Sequence, residues 1–201
     1  LADHVSAYDV AEEDRLRAHW YALLARLLSA APDASTLQLM RGLKGDETTL
    51  GKGVRALAAA ARGASPAQAE REYFDLFIGV GQGELLPYGS YYLTGFLNEK
   101  PLAVLRADMA ELGIARISQV KEPEDHIASL CEMMAGMITG AFGEPVELER
   151  QQEFFARHIG AWAPRFFEDL EQARSAALYM PVGTIGKEFM AIESQAFEMA
   201  A

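Results

Sequence analysis

The run Glu122-Pro123-Glu124-Asp125-His126 puts three carboxylates and one imidazole within five positions. Those residue types can do acid–base chemistry, hold a metal, or simply begin a helix. General acid–base work needs a partner and a pocket, and the other histidines, His4, His19 and His158, form no HExxH or ExxH pair with His126. Carboxylate-bridged di-iron bundles need Glu-x-x-His on facing helices; here Glu122 stands four before His126, across Pro123, and no second such pair exists. The spacing argues against a metal centre. A helix start explains the carboxylates: Pro123 suits the first helical position, Glu122 the cap, and Glu124 and Asp125 the first turn, where each complements the helix dipole by about 0.3–1 kcal/mol. Ile127, Leu130, Cys131, Met134, Met137 and Ile138 follow at helical spacing as a core-facing stripe. A cap explains less well a half-exposed His126 at the start of a buried helix, a place where side chains and free amides can converge on a ligand. At this level both readings stand.

A second stretch, residues 79–99, combines glycines with aromatics. Its "GVGQGE" start invites a phosphate cradle, but it follows a helical pattern and no Lys-Ser/Thr comes after it, whereas both phosphate-binding glycine motifs sit between a strand and a helix. A flexible connection between two halves of the helical core fits better. Tyr88, Tyr91, Tyr92 and Phe96 beside Pro87 either plug the core or floor a groove, since aromatics give large contact area at small entropy cost and glycines let a peptide backbone approach. Met133, Met134 and Met137 admit the same two readings, core filler or an adaptable apolar lining.

The elements that must position these residues are helical. Leu16, Trp20, Leu23, Leu24, Leu27 and Leu28 form one stripe of period 3.6. Cap signals at Asp33 or Ser35 predict a short helix over 35–43, an Ala-rich helix covers 54–62, and Ser65 with Pro66 opens one that ends at Gly79. Further helices are expected over 101–112, 123–141, 146–159, 161–173 and 184–199, with 79–99 as an extended loop. Alternation of period 2 is absent, so the expected class is all-α: a single-domain bundle of about eight to nine helices over 1–201, with a Gly/aromatic loop between two halves and a flexible hinge near 79–99. The formal charge of −11 repels phosphate backbones and attracts basic peptides, so nucleic acid is not an expected partner. No apolar run approaches the roughly 20 residues of a membrane span, the N-terminal residues are acidic where a secretory leader is basic, and the lone Cys131 suits a reducing compartment. A cytoplasmic protein without stable membrane insertion is expected.

The order of "EYFDLFIG", "LPYGSYY", "LRADMAELGI", "EPEDHIASL" and "FFARHIGAW" resembles the TorD/DmsD family of cytoplasmic redox-enzyme maturation chaperones, from about residue 12 to 197. The E-P-x-D-H segment before an apolar helix is the most specific part. The resemblance implies an all-helical, non-enzymatic chaperone that holds the N-terminal twin-arginine signal peptide and the apo catalytic subunit of a molybdopterin-dependent oxidoreductase until the cofactor is inserted. It assigns this chain no cofactor and no catalytic residue of its own. Asp125 and His126 match the family's peptide-binding Asp and His, Pro123 the motif proline, and Tyr88, Gly89, Ser90 and Tyr92 the Pro-aromatic-Gly-Ser-x-Tyr stretch, with Tyr88 where the family commonly has Trp. Glu124 and Glu84 join Asp125 as acidic groups at the expected groove mouth, able to pair with guanidiniums. Family members also form domain-swapped homodimers, for which a glycine-rich hinge is suited. The rival from the residues alone is a nucleotide or small-molecule binder with weak hydrolase activity, using the glycine loop with Asp125 and His126.

Overall fold

Local caps set several helix starts. In the computed structural model, which describes residues 10–115 and 122–200, the Asp33 carboxylate accepts from the Thr36 amide at 2.7 Å and opens α2 (Ala34–Gly42). Thr48 does the same for Gly51 at the head of α3 (Thr49–Gly63). Ser65 and Gln68 form a reciprocal capping box on α4 (Pro66–Tyr73), with Pro66 in its first turn. Such caps are each worth about 1 kcal/mol. His4 lies outside the described residues.

The remaining helices are α1 (Glu12–Ser29), α5 (Gly89–Thr94), α6 (Lys100–Glu111), α7 (Ile127–Thr139), α8 (Leu148–Phe155), α9 (Ala163–Gln172) and α10 (Met180–Ala200). Two π-helical stretches, Phe74–Ile78 and Ala156–Gly160, continue α4 and α8. The described residues hold no strand, only one isolated bridge between Tyr88 and His126. The class is all-α, and the helix beyond the expected nine is α5, in the stretch read from sequence as an extended loop. The chain divides into two compact units: residues up to Arg26 with Tyr88–Ala161, and Leu27–Pro87 with Trp162–Ala200. One crossing, between Pro87 and Tyr88, falls inside the 79–99 segment.

In the unit holding Tyr88–Ala161, α7 is the most deeply set helix. Ile127, Leu130, Cys131, Met134, Met137 and Ile138 are at most 1 % exposed, and Met133 is buried too. The three methionines are therefore interior filler and line no surface. Burial pushes the Cys131 thiol far above its ordinary range, so it stays protonated and inert. On α1 the expected stripe is buried at Leu24, Leu27 and Leu28, with Tyr21 added, while Leu16 lies in water.

The other unit rests on α10 packed along α9. Phe166, Phe167, Leu170, Ile185 and Phe189 fill the seam, and Gly183 and Gly186 let the two backbones approach. A methyl group at 183 would lie 2.8 Å from the Phe167 carbonyl oxygen, and one at 186 would strike the Phe167 ring. The contacted atoms at 183 are backbone and cannot turn aside. Beside this seam two glutamates hold the 174–179 connection: Glu72 accepts from the amides of Ala177, Leu178 and Tyr179 at 2.8–3.1 Å, and Glu84 from those of Arg174 and Ser175 at 2.8 and 3.0 Å.

A matched pair of substitutions checks this packing. Gly183→Ala should lower unfolding free energy by about 1–3 kcal/mol through overpacking. Gly63→Ala, at the end of α3 with nothing within 4 Å of an added methyl, should raise it by about 0.4–1 kcal/mol by restricting the unfolded chain. Urea denaturation followed by circular dichroism reads both; equal effects at the two positions would contradict the seam.

Candidate functional site

Tyr88 and His126, thirty-eight positions apart in the chain, pair as an antiparallel bridge, and their rings meet edge to face at 5.1 Å. Asp125 makes the junction. Its carbonyl oxygen accepts from the Gly89 amide at 2.9 Å and its Oδ2 from the Ser90 amide at 2.7 Å. These two bonds begin α5, whose start carries no side-chain cap of its own. The short helix thus depends on a partner far away in sequence, which is why the local pattern read as loop.

The same bonds shift the start of α7. The His126 amide donates to the Pro123 carbonyl at 3.1 Å, closing a tight turn over 123–126, and the helix begins at Ile127 with His126 as its cap. The expected helix from Pro123 is corrected by four residues. The Asp125 carbonyl, which would accept an intrahelical bond in a helix starting at 123, is taken by Gly89. The half-exposed His126 is corrected as well: the residue is buried, 7 % exposed. Its Nδ1 accepts from the Ala128 amide at 3.1 Å, which leaves Nε2 as the protonated nitrogen of a neutral ring. Burial holds its pKa down at about 4, against a smaller upward pull from the Glu122 and Asp125 carboxylates. The imidazole is uncharged at neutral pH.

The neighbouring carboxylates already serve this chain. Glu122, expected from sequence as a helix cap, accepts from the Tyr88 hydroxyl. Glu124 is buried and its Oε2 takes Nε and Nη2 of Arg106 on α6, at 3.0 and 2.8 Å. Arg106 was not legible as a site residue, since nothing local links it to a carboxylate eighteen positions on. Glu84 belongs to the other unit, where it is bound to the amides of Arg174 and Ser175. Burial alone would raise its carboxyl pKa; the hydrogen bonds from Ser175 and Arg174 outweigh that and lower it. Tyr92 lies one turn along α5, its amide bonded to the Tyr88 carbonyl and its ring against Tyr91. The structure therefore brings Tyr88, Gly89, Ser90, Asp125 and His126 into one cluster, sets Pro123 and Glu124 in the turn beside it, and engages Glu84 elsewhere.

Two atoms in the cluster have no partner. Asp125 Oδ1 and Ser90 Oγ are buried without a hydrogen bond, on residues 3 % and 0 % exposed. A buried polar atom left unpaired costs about 1–3 kcal/mol, and more when it carries charge. A donor that reached this cluster would meet a carboxylate oxygen and a hydroxyl beside an aromatic ring and an uncharged imidazole. At the two ends of the glycine segment the Gly79 amide donates to the Phe74 carbonyl at 2.7 Å and the Glu84 amide to the Asp75 carbonyl at 3.1 Å, so these two amides are committed within the chain. Among the described residues no group of three or more His, Cys, Asp or Glu is arranged to hold a metal ion, and no helix is long and apolar enough to cross a membrane.

Comparison with known proteins adds ancestry to this geometry. A family model described as nitrate reductase delta subunit matches residues 44–168, which include the whole cluster. The chaperone protein TorD of Vibrio parahaemolyticus is 27 % identical over 131 residues, covering 61 % of this chain and 61 % of that protein. The TorD of Aliivibrio fischeri is 31 % identical over 119 residues, covering 54 % and 55 %. The matched stretch spans about three fifths of the length of the curated relatives. A crystal structure from Archaeoglobus fulgidus, assigned there to redox enzyme maturation, superposes with a TM-score of 0.59 at 17 % identity, covering 93 % of this chain and 99 % of that one, a likeness of fold. On the match through residues 44–168, and with TorD chaperones among its relatives, the chain belongs to the nitrate reductase delta subunit family of TorD-type proteins.

Proposed function

We propose that this protein is a non-catalytic, cytoplasmic maturation chaperone. It holds the twin-arginine leader and the apo form of a molybdopterin-dependent oxidoreductase until the cofactor is inserted, and delays export meanwhile. The observation that carries the reading is the unpartnered pair at the junction of the two segments, Asp125 Oδ1 and Ser90 Oγ. A guanidinium presents several N–H donors in a flat fork and is the side chain best matched to a carboxylate oxygen with a second acceptor beside it. His126 supports the same ligand by staying neutral, since an imidazolium there would repel an arginine. The formal charge of −11 draws a basic leader in, and added salt weakens that attraction. The hinge near 79–99, and dimerisation by exchange about it, belong to the same proposal. That the curated relatives are named as chaperones supports a role without chemistry of its own.

Titration calorimetry with a synthetic twin-arginine leader tests the reading. Wild-type protein should bind it and should not bind the same peptide with both arginines changed to glutamine. Asp125→Asn removes the charge and keeps an oxygen for the Ser90 amide; it should weaken binding about 10- to 100-fold, the worth of one charge-assisted hydrogen bond, with the melting temperature little changed. If neither the leader nor the co-expressed apo subunit binds, the proposal is wrong.

The imidazole gives a pH signature. Its folded pKa of about 4 lies below the unfolded value of 6.5, so the unfolded chain takes up the proton first. Stability is unaffected above pH 6.5, falls as pH drops from 6.5 to 4, and levels off below that, by about 3 kcal/mol in all from this group. His126→Asn keeps a capping oxygen and should remove most of that acid-side loss. Denaturation midpoints at pH 7 and pH 4.5 decide it: an equal loss in both proteins would exclude a buried neutral His126.

A further inference from the structure

In the last turn of α5 and just beyond it the chain keeps three apolar side chains in water. Leu93 is 43 %, Phe96 69 % and Leu97 41 % exposed. Their turn is built with care for its shape. Gly95 has φ +84° and Asn98 φ +60°, the latter the only non-glycine residue with positive φ among the described residues and a conformation that carries strain. The Thr94 hydroxyl donates to the Ser90 carbonyl at 2.8 Å and also accepts from the Phe96 amide at 3.2 Å. A braced, partly strained turn that holds a phenylalanine outward is a prearranged contact surface, because nothing within the turn gains by exposing that ring.

We infer that Leu93, Phe96 and Leu97 form the seat for the apolar stretch that follows the arginines of the bound leader, which fixes the direction in which the leader lies: arginines at Asp125, apolar residues running along α5 toward α6. The inference rests on the function proposed above and adds register and polarity to it. Continuity supports the occupant, since the Thr94 brace ties the seat to Ser90, the residue whose hydroxyl stands unpartnered beside Asp125. The six residues of α5 span roughly 9 Å at 1.5 Å per residue. An extended peptide covers that distance in about three residues, so the apolar run should begin about three to five positions after the arginine that meets Asp125. Charge supports it too: a second copy would bring another chain of formal charge −11 to the acidic cluster, whereas a cationic, then apolar, segment matches both ends of the surface. The interior placement of Met133, Met134 and Met137 leaves the apolar contact to be found elsewhere, and this turn supplies it.

The test uses the full chain carrying Phe96→Ser and Leu97→Ser together, with three peptides followed by calorimetry: the complete leader, a leader cut before its apolar run, and a leader with a four-residue Gly-Ser spacer between arginines and apolar run. The paired variant should bind the complete leader at least about tenfold more weakly than wild type and the shortened leader equally well. In wild type the spacer should cost affinity. Full-strength binding of the complete leader by the variant overturns the seat while leaving the proposed function standing. An equal loss for complete and shortened leaders also overturns it, because the turn would then act through the Asp125 cluster; Asn98→Gly, which relaxes the turn without removing an apolar side chain, should leave shortened-leader binding unchanged. A wild-type dimer that the paired variant converts to monomer with unaltered leader affinity assigns the surface to a second copy instead. Failure of wild type to bind any of the peptides removes the proposed function and the seat with it.

Discussion

Asp125 holds two amides of a segment thirty-five positions away, one through its backbone carbonyl and one through its side chain, and the geometry of the site follows from that double hold. It starts α5 where no local cap exists, keeps residues 123–126 out of α7, and brings Tyr88 against His126. Neither bond is worth more than about 1–3 kcal/mol. Their effect comes from position, since each is made where two backbone segments would otherwise leave polar groups unpaired in the interior. One oxygen of the same carboxylate remains without a partner. On the proposed function, the residue that organises the site is also the one that meets the leader's arginine.

The other unit uses carboxylates in a related way. Glu72 and Glu84 between them accept five backbone amides of the 174–179 connection. A carboxylate has room for several donors and binds amides more strongly than a neutral oxygen does. Part of the acidity of this chain therefore serves as internal mortar, and it would be an error to count every glutamate as surface available to a basic partner. Glu84 illustrates the point: its charge suited the mouth of a groove, but its hydrogen bonds commit it to a loop.

Histidine shows how burial decides chemistry. His126 and His158 are both 7 % exposed. At His158, burial lowers the pKa although the Asp108 carboxylate, 2.6 Å from Nε2, pulls the other way. At His126 no carboxylate accepts from the ring, and desolvation prevails down to about 4. The first is a hydrogen-bonded clamp between α6 and the π-helical turn after α8; the second is a neutral cap beside an empty acceptor. The same residue type, at equal exposure, takes two roles because of what its second nitrogen meets.

Residue pattern alone was sufficient for the all-α class, for α2, for the body of α3 though not its start at Thr49, for α4 with its cap at Ser65, for the buried stripe of α7, and for marking the 88–92 and 122–126 segments as the chemically interesting ones. These features depend on neighbours within about four positions, so the chain states them locally. Tertiary structure alone decided that α5 exists, that α7 begins at Ile127, that Arg106 holds Glu124, that Glu84 caps a turn, and that Asp125 Oδ1 and Ser90 Oγ lack partners. In all but the last case the deciding group is a hydrogen-bond donor or acceptor eighteen or more positions away. Backbone amides, the commonest donors, are common to every residue but proline and leave no mark on the order of side chains.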